Sequence, residues 1–348
     1  MERQQKVKEA LYLFLLQKRE ENELSQAFTA YNTRIVTPPH GSMLPTSPVR
    51  KNIFMVAFAL GLLIPIVIIF MRENMNTRVR GRKDLESVTV PFIGEIPLFT
   101  RKKKRIFGKK PQEVKAVVVK EGNRDIINEA FRVLRTNLEF MTGKDKTSNV
   151  IIMTSFNPGS GKSFLTMNIA MSLAIKGKKV LVIDGDLRHA SASSYIDSPD
   201  KGLSDYLGGR IDNLDEIIVP DPKHKSMDIL PVGTIPPNPT ELLFDERLKQ
   251  TIDTVREQYD YVLIDCPPVE LVADTQIIEK LADRTIFVVR AGLLERSMLS
   301  ELEKIYDEKK YKNMSLILNG TEGSGGRYGY RYGYRYGYHY GYGSGYHY

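Results

Sequence analysis

Apolar residues fall into three regimes along this chain. Residues 53 to 70 read IFMVAFALGLLIPIVIIF, eighteen positions without a charge. That is close to the roughly 20 residues with which a helix crosses a bilayer. Gly61 and Pro65 sit inside the run, and membrane helices tolerate both better than soluble ones do. It starts too far from Met1, and lacks the small-residue cleavage site, to be a signal peptide. Upstream, Val7, Leu11, Phe14 and Leu15 recur at helical spacing among charges, which predicts an amphipathic or coiled-coil helix up to about Tyr31. Pro38, Pro39, Pro45 and Pro48 then predict a stiff, extended approach to the membrane.

From residue 126 the pattern changes. Apolar runs of strand length at 149–154, 179–184, 227–232, 261–265, 284–290 and 314–319 alternate with helical stretches near 126–141, 162–176, 240–257, 273–282 and 296–310. This alternation predicts an α/β fold, a doubly wound and mostly parallel sheet covered on both faces, with ligands gathering at the carboxyl ends of strands. The expected division is an outer helix and proline-rich segment at 1–50, a membrane helix at 51–72 and a basic linker at 73–125. A catalytic domain at 126–322 and a low-complexity tail at 323–348 follow. The linker has little periodicity apart from VTVPFIGEIP (88–97) and a short strand candidate, KAVVVK (115–120).

Charge orients this arrangement. Arg72, Arg78, Arg80, Arg82 and Lys83 follow the apolar run, against Arg50 and Lys51 before it. The positive-inside rule therefore puts the C-terminal side in the cytoplasm and residues 1 to about 50 outside. The run RKKKR at 101–105, with Lys109 and Lys110, supplies much of the net +8. Beside a membrane segment it points to anionic lipid rather than nucleic acid. With Cys266 as the one cysteine, an intramolecular disulfide is excluded and a reducing compartment fits. Cys266 reads as a small buried filler, not a nucleophile.

The chemistry lies at the predicted strand ends. The strand NVIIMTS runs into FNPGSGKSF and then a helix. Backbone amides of Gly159, Ser160, Gly161, Lys162 and Ser163 can wrap a β-phosphate at the helix's positive end. Lys162 can reach the β- and γ-phosphates, and the Ser163 hydroxyl can ligate magnesium. Phe156 stands where the fuller phosphate-loop consensus has its first glycine, with Pro158 available to stiffen the loop. The second strand exits through VLVIDGDLRH, placing Asp184, Asp186 and Arg188 together, and the fourth ends YVLIDCPP at Asp265. Beside a phosphate loop, such acids serve Mg²⁺ or an attacking hydroxyl. Asp184 and Asp265 are the candidate ligands with Ser163. Spacing leaves open whether Asp184 or Asp186 is the base, and whether Arg188 contacts phosphate or neutralises the acids.

Ten tyrosines fill the last twenty-one residues: Tyr328, Tyr330, Tyr332, Tyr334, Tyr336, Tyr338, Tyr340, Tyr342, Tyr346 and Tyr348, mostly in Arg-Tyr-Gly-Tyr repeats. Glycine and arginine between the rings preclude a core, so a flexible string of phenols is tethered to a phosphate-handling domain. At this point the chain resembles the bacterial tyrosine kinases. The matching elements are SFNPGSGKS, IDGDLR, LIDCPP, GLSDYLGG (202–209), PPNPTELL (236–243) and the tyrosine cluster. They cover about residue 88 to the end. The segment 38–71 resembles the end of a polysaccharide chain-length regulator fused ahead of such kinases. The regulator's first membrane helix and most of its extracytoplasmic domain have no counterpart, as in a fragment.

The resemblance implies a phosphate-loop NTPase fold using ATP and Mg²⁺ to phosphorylate protein tyrosine. It also implies a homo-oligomeric ring whose tails enter neighbouring sites at the bacterial inner membrane, with the kinase domain cytoplasmic. Glu129, Arg132 and Arg135, spaced by three in NEAFRVLRTNL, would then form the ring interface from one helical face. Asn319 would touch adenine. The implied partners are the polysaccharide polymerisation and export machinery and a tyrosine phosphatase, without nucleic acid. Each tail phosphate adds about −1.5 to −2 charges, enough to reverse Arg327, Arg331 and Arg335 and loosen the ring. Two other readings remain: a partitioning-type ATPase, which Asn157 disfavours because those loops carry lysine there, and a nucleotide-controlled membrane scaffold.

Overall fold

In the computed structural model, alternate residues of the central strands enter two separate cores. Ile152, Ile183, Ile264, Phe287 and Leu316 belong to one; Ile151, Val182, Leu263, Ile286 and Ile317 belong to the other. The two-residue pleat explains this: a strand apolar at every position has a buried surface on both sides. The residues described are 2–28, 41, 49–74, 76–99, 116–143, 149–222, 224–269 and 273–322. The chain divides into two compact units, Met1–Asn74 and Met75–Tyr348.

The first unit holds α1 (Glu2–Phe28) and α2 (Arg50–Asn74). α1 is exposed throughout its described side chains and carries the ion pairs Lys18–Glu21 and Arg19–Glu23, at 2.6 and 2.9 Å. In α2 the stretch Arg50–Met71 contains an 18-residue window with a mean hydropathy of 3.0, none of it buried. By length and composition it suffices to cross a membrane. The prolines of the approach and the RKKKR run fall outside the described residues, as do the ten tail tyrosines.

In chain order, the second unit contains β1 (Phe92–Pro97), α3 (Ile126–Thr142), β2 (Val150–Thr154), α4 (Lys162–Ile175), β3 (Val180–Asp184), α5 (Leu203–Leu207) and β4 (Val219–Pro220). β5 (Met227–Leu230), α6 (Pro239–Leu243), α7 (Glu246–Gln258), β6 (Tyr261–Asp265), α8 (Asp274–Glu279), β7 (Arg284–Arg290), α9 (Met298–Asp307) and β8 (Ser315–Thr321) complete it. They build one sheet in the order β1-β8-β7-β2-β6-β3-β5-β4. Every pairing is parallel except that of β4, whose Pro220 suits an edge. Phe131, Leu134 and Leu165 put α3 and α4 against one face; Ile252, Ile278 and Leu302 put α7, α8 and α9 against the other.

Three expectations change. The boundary at residue 126 is too late, because β1 pairs in parallel with β8 and Val79, Leu85 and Val90 are buried in the core. Residues 116–120 form no strand. The amides of Val118 and Val119 donate instead to the Asn168 side chain (2.7 and 3.1 Å), and Lys120 donates to Asn128 (2.8 Å). Side-chain amides thus replace the ladder that KAVVVK suggests. The helix expected over 240–257 breaks after Leu243, where Asp245 caps α7 by accepting from the Arg247 amide at 2.8 Å.

Candidate functional site

Between β2 and α4 the chain turns through two glycines in the left-handed region, Gly159 (φ 73°) and Gly161 (φ 86°), which other residues rarely adopt. The turn brings the first amides of α4, with their positive end, to the carboxyl edge of the sheet. Phe156 meets Phe287 edge-on at 4.8 Å and is 2% exposed. The side chain standing in for the consensus glycine therefore anchors the loop to the core. The Ser155 and Ser160 hydroxyls both donate to the Asn157 carbonyl at 2.8 Å.

Asn319 departs from its expected role. Its amide nitrogen donates to the Ser160 carbonyl at 2.8 Å, and its side chain is almost wholly buried. It locks the phosphate loop rather than pointing that nitrogen at a base. Any β-carbon on Gly161 would lie 2.2 Å from the same nitrogen, so lock and glycine fit one another.

Lys162 is buried, with Nζ 3.4 Å from Ser155 Oγ. Burial pushes its pKa down against the pull of Asp265 and Asp186. The Ser163 hydroxyl donates to Asp265 Oδ2. Asp184 and Asp265 are register partners on β3 and β6, where strands run about 4.8 Å apart. Burial pushes Asp184 up to about 6, with Asp186 adding to the rise and Ser193 opposing it. Burial and then Asp184 push Asp265 up to about 8, against Ser163 and Lys162. The three acids and the lysine thus converge.

Individual roles separate within that group. Asp184, expected on the metal, accepts at Oδ2 from the Ser193 amide (2.6 Å) and hydroxyl (2.7 Å), and at Oδ1 from the Asp186 amide (3.3 Å). It ties down the loop that follows β3. Asp186 accepts at Oδ1 from the amides of Arg188 and His189 and from His189 Nδ1, all at 3.2–3.3 Å, leaving Oδ2 outside these bonds. Arg188 turns away from both acids. Its Nε donates to Asp274 Oδ2 and its Nη2 to the Thr240 hydroxyl, each at 3.0 Å, while that hydroxyl donates to Asp274 Oδ1 at 2.6 Å. The sequence singled out neither residue for a role, although Thr240 lies inside PPNPTELL. Burial pushes the Cys266 thiol up, as for a filler.

The residues present fit a nucleotide triphosphate with a divalent cation. Asp265 Oδ1 is buried without a partner, beside a serine hydroxyl and a dehydrated lysine. Among the described residues no three His, Cys, Asp or Glu side chains form a closed metal cage. A cation here would take Ser163, Asp265 and phosphate oxygens, as in phosphate-loop chemistry.

On α3 the expected common face dissolves. Arg132 pairs with Glu129 at 2.6 Å on the surface, while Arg135 Nη1 donates to the Ser172 carbonyl of α4 at 2.8 Å. Three residues fall about 60° short of a full helical turn, so two such steps carry Arg135 inward. The GLSDYLGG motif is structural. Asp205 accepts from the Gly202 and Thr234 amides (3.0 and 3.1 Å) and from Arg210. Burial raises its pKa, yet these bonds outweigh it and hold the carboxyl below the usual range.

A parallel α/β sheet with this loop ahead of α4 and acids at adjacent strand ends defines a phosphate-loop nucleotide-binding protein. The AAA domain family matches residues 148–317, and the family described as "G-rich domain on putative tyrosine kinase" matches residues 1–74. The chain is 29% identical over 322 residues to tyrosine-protein kinase etk of Escherichia coli K12, covering 89% of this chain and 44% of that protein. It is 30% identical over 318 residues to tyrosine-protein kinase wzc of Salmonella typhimurium, covering 89% and 43%. The solved kinase domain of Escherichia coli tyrosine kinase ETK superposes with a TM-score of 0.62 at 27% identity, covering 77% of this chain and all of that one. The chain belongs to the bacterial tyrosine kinase family. It spans under half the length of the relatives it matches.

Proposed function

We propose that this protein is an ATP-dependent tyrosine autokinase. It phosphorylates the tail tyrosines Tyr328 to Tyr348 of a neighbouring copy within a homo-oligomer, in the context of exopolysaccharide export. It sits in the bacterial inner membrane with α2 as the anchor and the second unit in the cytoplasm. The observation that carries this reading is the convergence of Lys162, Ser163 and Asp265 on one phosphate loop, in a chain ending in tyrosine repeats.

Bound magnesium–ATP supplies the transferable phosphoryl group and its charge neutralisation. The loop amides and Lys162 hold the phosphates, and buried Lys162 delivers its charge in a site of low dielectric. Ser163 and Asp265 hold the cation. Asp186, with Oδ2 left over, orients the phenol and accepts its proton, which a free tyrosine of pKa near 10 seldom gives up. Asp184, spent on Ser193, is the anchor.

The test incubates the detergent-solubilised chain with ATP and Mg²⁺ and reads phosphotyrosine by mass spectrometry. Tail phosphotyrosine that disappears in Lys162→Met supports the proposal. ATP hydrolysis without phosphotyrosine makes the protein an ATPase, and neither product makes it a scaffold.

A further inference from the structure

The segment from Thr234 to Leu243 is pinned at both ends and in the middle. The Thr234 carbonyl accepts from the Ser204 hydroxyl and its amide donates to Asp205 (3.1 Å). Thr240 joins Asp274 and Arg188, and Leu243 is buried in the core. Yet this rigid segment and its C-terminal cap display Ile235 (57% exposed) and Phe244 (66% exposed). The frame that holds these large apolar side chains is tied through Thr240 to Arg188, two residues beyond Asp186. Glu241, Asp245 and Glu246 stand exposed around Phe244. Their bonds are local: Glu241 accepts from Asn238, Asp245 caps α7 and Glu246 pairs with Lys249. Of the nearby counter-charges, Lys249 pairs with Glu246 and Arg247 is held by Asp212 and the Tyr206 carbonyl.

We propose that residues 234–246 form a docking wall for the tyrosine-rich tail of a second copy, Ile235 and Phe244 receiving its rings and the three acids its arginines. The proposal rests on the autokinase reading and adds how acceptor tyrosines are chosen. The tail's repeat matches the wall. Its tyrosines recur every second residue from Tyr328 to Tyr342, and in extended backbone residues two apart share a face about 7 Å apart. One face is then all phenol. With one ring at Asp186, neighbouring rings would be offered Ile235 and Phe244 on the segment that Thr240 ties to Arg188, where ring pairs and buried area would add to binding. Arg327, Arg331 and Arg335 supply the charge opposite Glu241, Asp245 and Glu246. A phosphate on a docked tyrosine would meet those acids, so a phosphorylated repeat would dock less tightly than an unmodified one.

The experiment presents a biotinylated peptide of residues 327–338 to the detergent-solubilised full chain at saturating ATP and measures its KM and kcat. Phe244→Ser is expected to raise the peptide KM about tenfold, the loss of one aromatic contact at about 1.4 kcal/mol per tenfold. Phe244→Tyr is expected to keep it, and Ile235→Ser to raise it less. Replacing the peptide's arginines by glutamine should raise KM for the wild type. It should do so less for the Glu241→Gln, Glu246→Gln double variant, since the two changes remove one interaction. A peptide KM within twofold of wild type in both serine variants overturns the proposal. So does a Phe244→Ser whose kcat and ATP KM change together with the peptide KM and are not rescued by tyrosine, the mark of a structural role. A wild-type chain that phosphorylates neither tail nor peptide overturns the autokinase reading itself.

Discussion

Asp265→Asn is expected to stabilise the second unit while abolishing phosphotransfer. The carboxyl is wholly buried, and burial with Asp184 lifts its pKa from the ordinary 3.8 to about 8. A folded-state value above the unfolded one means that the folded form holds the proton more tightly. Stability is therefore greatest below the unfolded value of 3.8 and is lost as pH rises toward 8. At pH 7 the roughly three pKa units between 3.8 and 7, at about 1.4 kcal/mol each, set a ceiling near 4 kcal/mol. Part of the rise comes from Asp184, and Ser163 and Lys162 oppose it, which leaves about 2–4 kcal/mol to be recovered by an uncharged isostere. The carbonyl of the substituted amide can still accept the Ser163 hydroxyl, so the change adds no unpaired acceptor there. For a unit of this size the gain corresponds to a Tm rise of about 4–16 °C. Calorimetry from pH 5 to 8 checks it: wild type should lose stability with pH across this window, and the variant should show a shallower slope. Adding Mg²⁺ and ATP should raise the wild-type Tm and move the variant much less. A variant less stable than wild type at pH 7, or one that still makes phosphotyrosine at a tenth of the normal rate, would refute the reasoning.

Four further changes probe the loop and its neighbours. Gly161→Ala places a methyl 2.2 Å from Asn319 Nδ2 at a φ of 86°; nucleotide binding, read by isothermal titration, should be lost. Asn319→Ala leaves the Ser160 carbonyl without its donor and should cost about 1–3 kcal/mol, with the ATP KM raised by tenfold or more in steady-state kinetics. Asp186→Asn should lower kcat at least a hundredfold with ATP affinity retained. Asp184→Asn should instead lower the Tm by several degrees, because with the amide carbonyl kept on Ser193 its NH2 group would face the Asp186 amide, donor against donor.

Most of the sheet was legible because a strand buried on both sides leaves a run too apolar to be anything else. The six runs from Asn149 to Asn319 became β2, β3, β5, β6, β7 and β8 within a residue or two. β1 was hidden for the opposite reason: in FIGEIP a glycine, a glutamate and a proline interrupt the pattern, and its place is set by β8 and by Asn137 donating to the Ile93 carbonyl at 2.7 Å. The loop, lysine and acids were legible because their spacing is local to strand–turn–helix units. The lock from Asn319 spans 159 residues and the Arg188–Asp274 pair 86. No periodicity encodes such distances, so the sequence left the partner of Arg188 open and could not show the bond from Asn319 to the loop. Glu129, Arg132 and Arg135 show a related limit, since an exact spacing of three drifts around a helix and only packing shows where each residue lands.

The arrangement of the acids follows from one small residue. The Gly185 amide donates to the Asp265 carbonyl at 2.9 Å, and a β-carbon there would sit 3.0–3.1 Å from Ile264 and that carbonyl. Glycine thus lets the end of β3 press against the end of β6, bringing Asp184 and Asp265 side by side in the register of the sheet. Two adjacent buried carboxylates repel, and the fold meets this by giving them different partners: Ser193 for Asp184, Ser163 and Lys162 for Asp265. Past the glycine the chain turns, so Asp186 leaves that crowded layer with one oxygen uncommitted. The sequence Asp-Gly-Asp therefore encodes one acid that holds the loop and one that keeps an oxygen outside the loop's bonds. That division is the physical reason for assigning proton acceptance to Asp186.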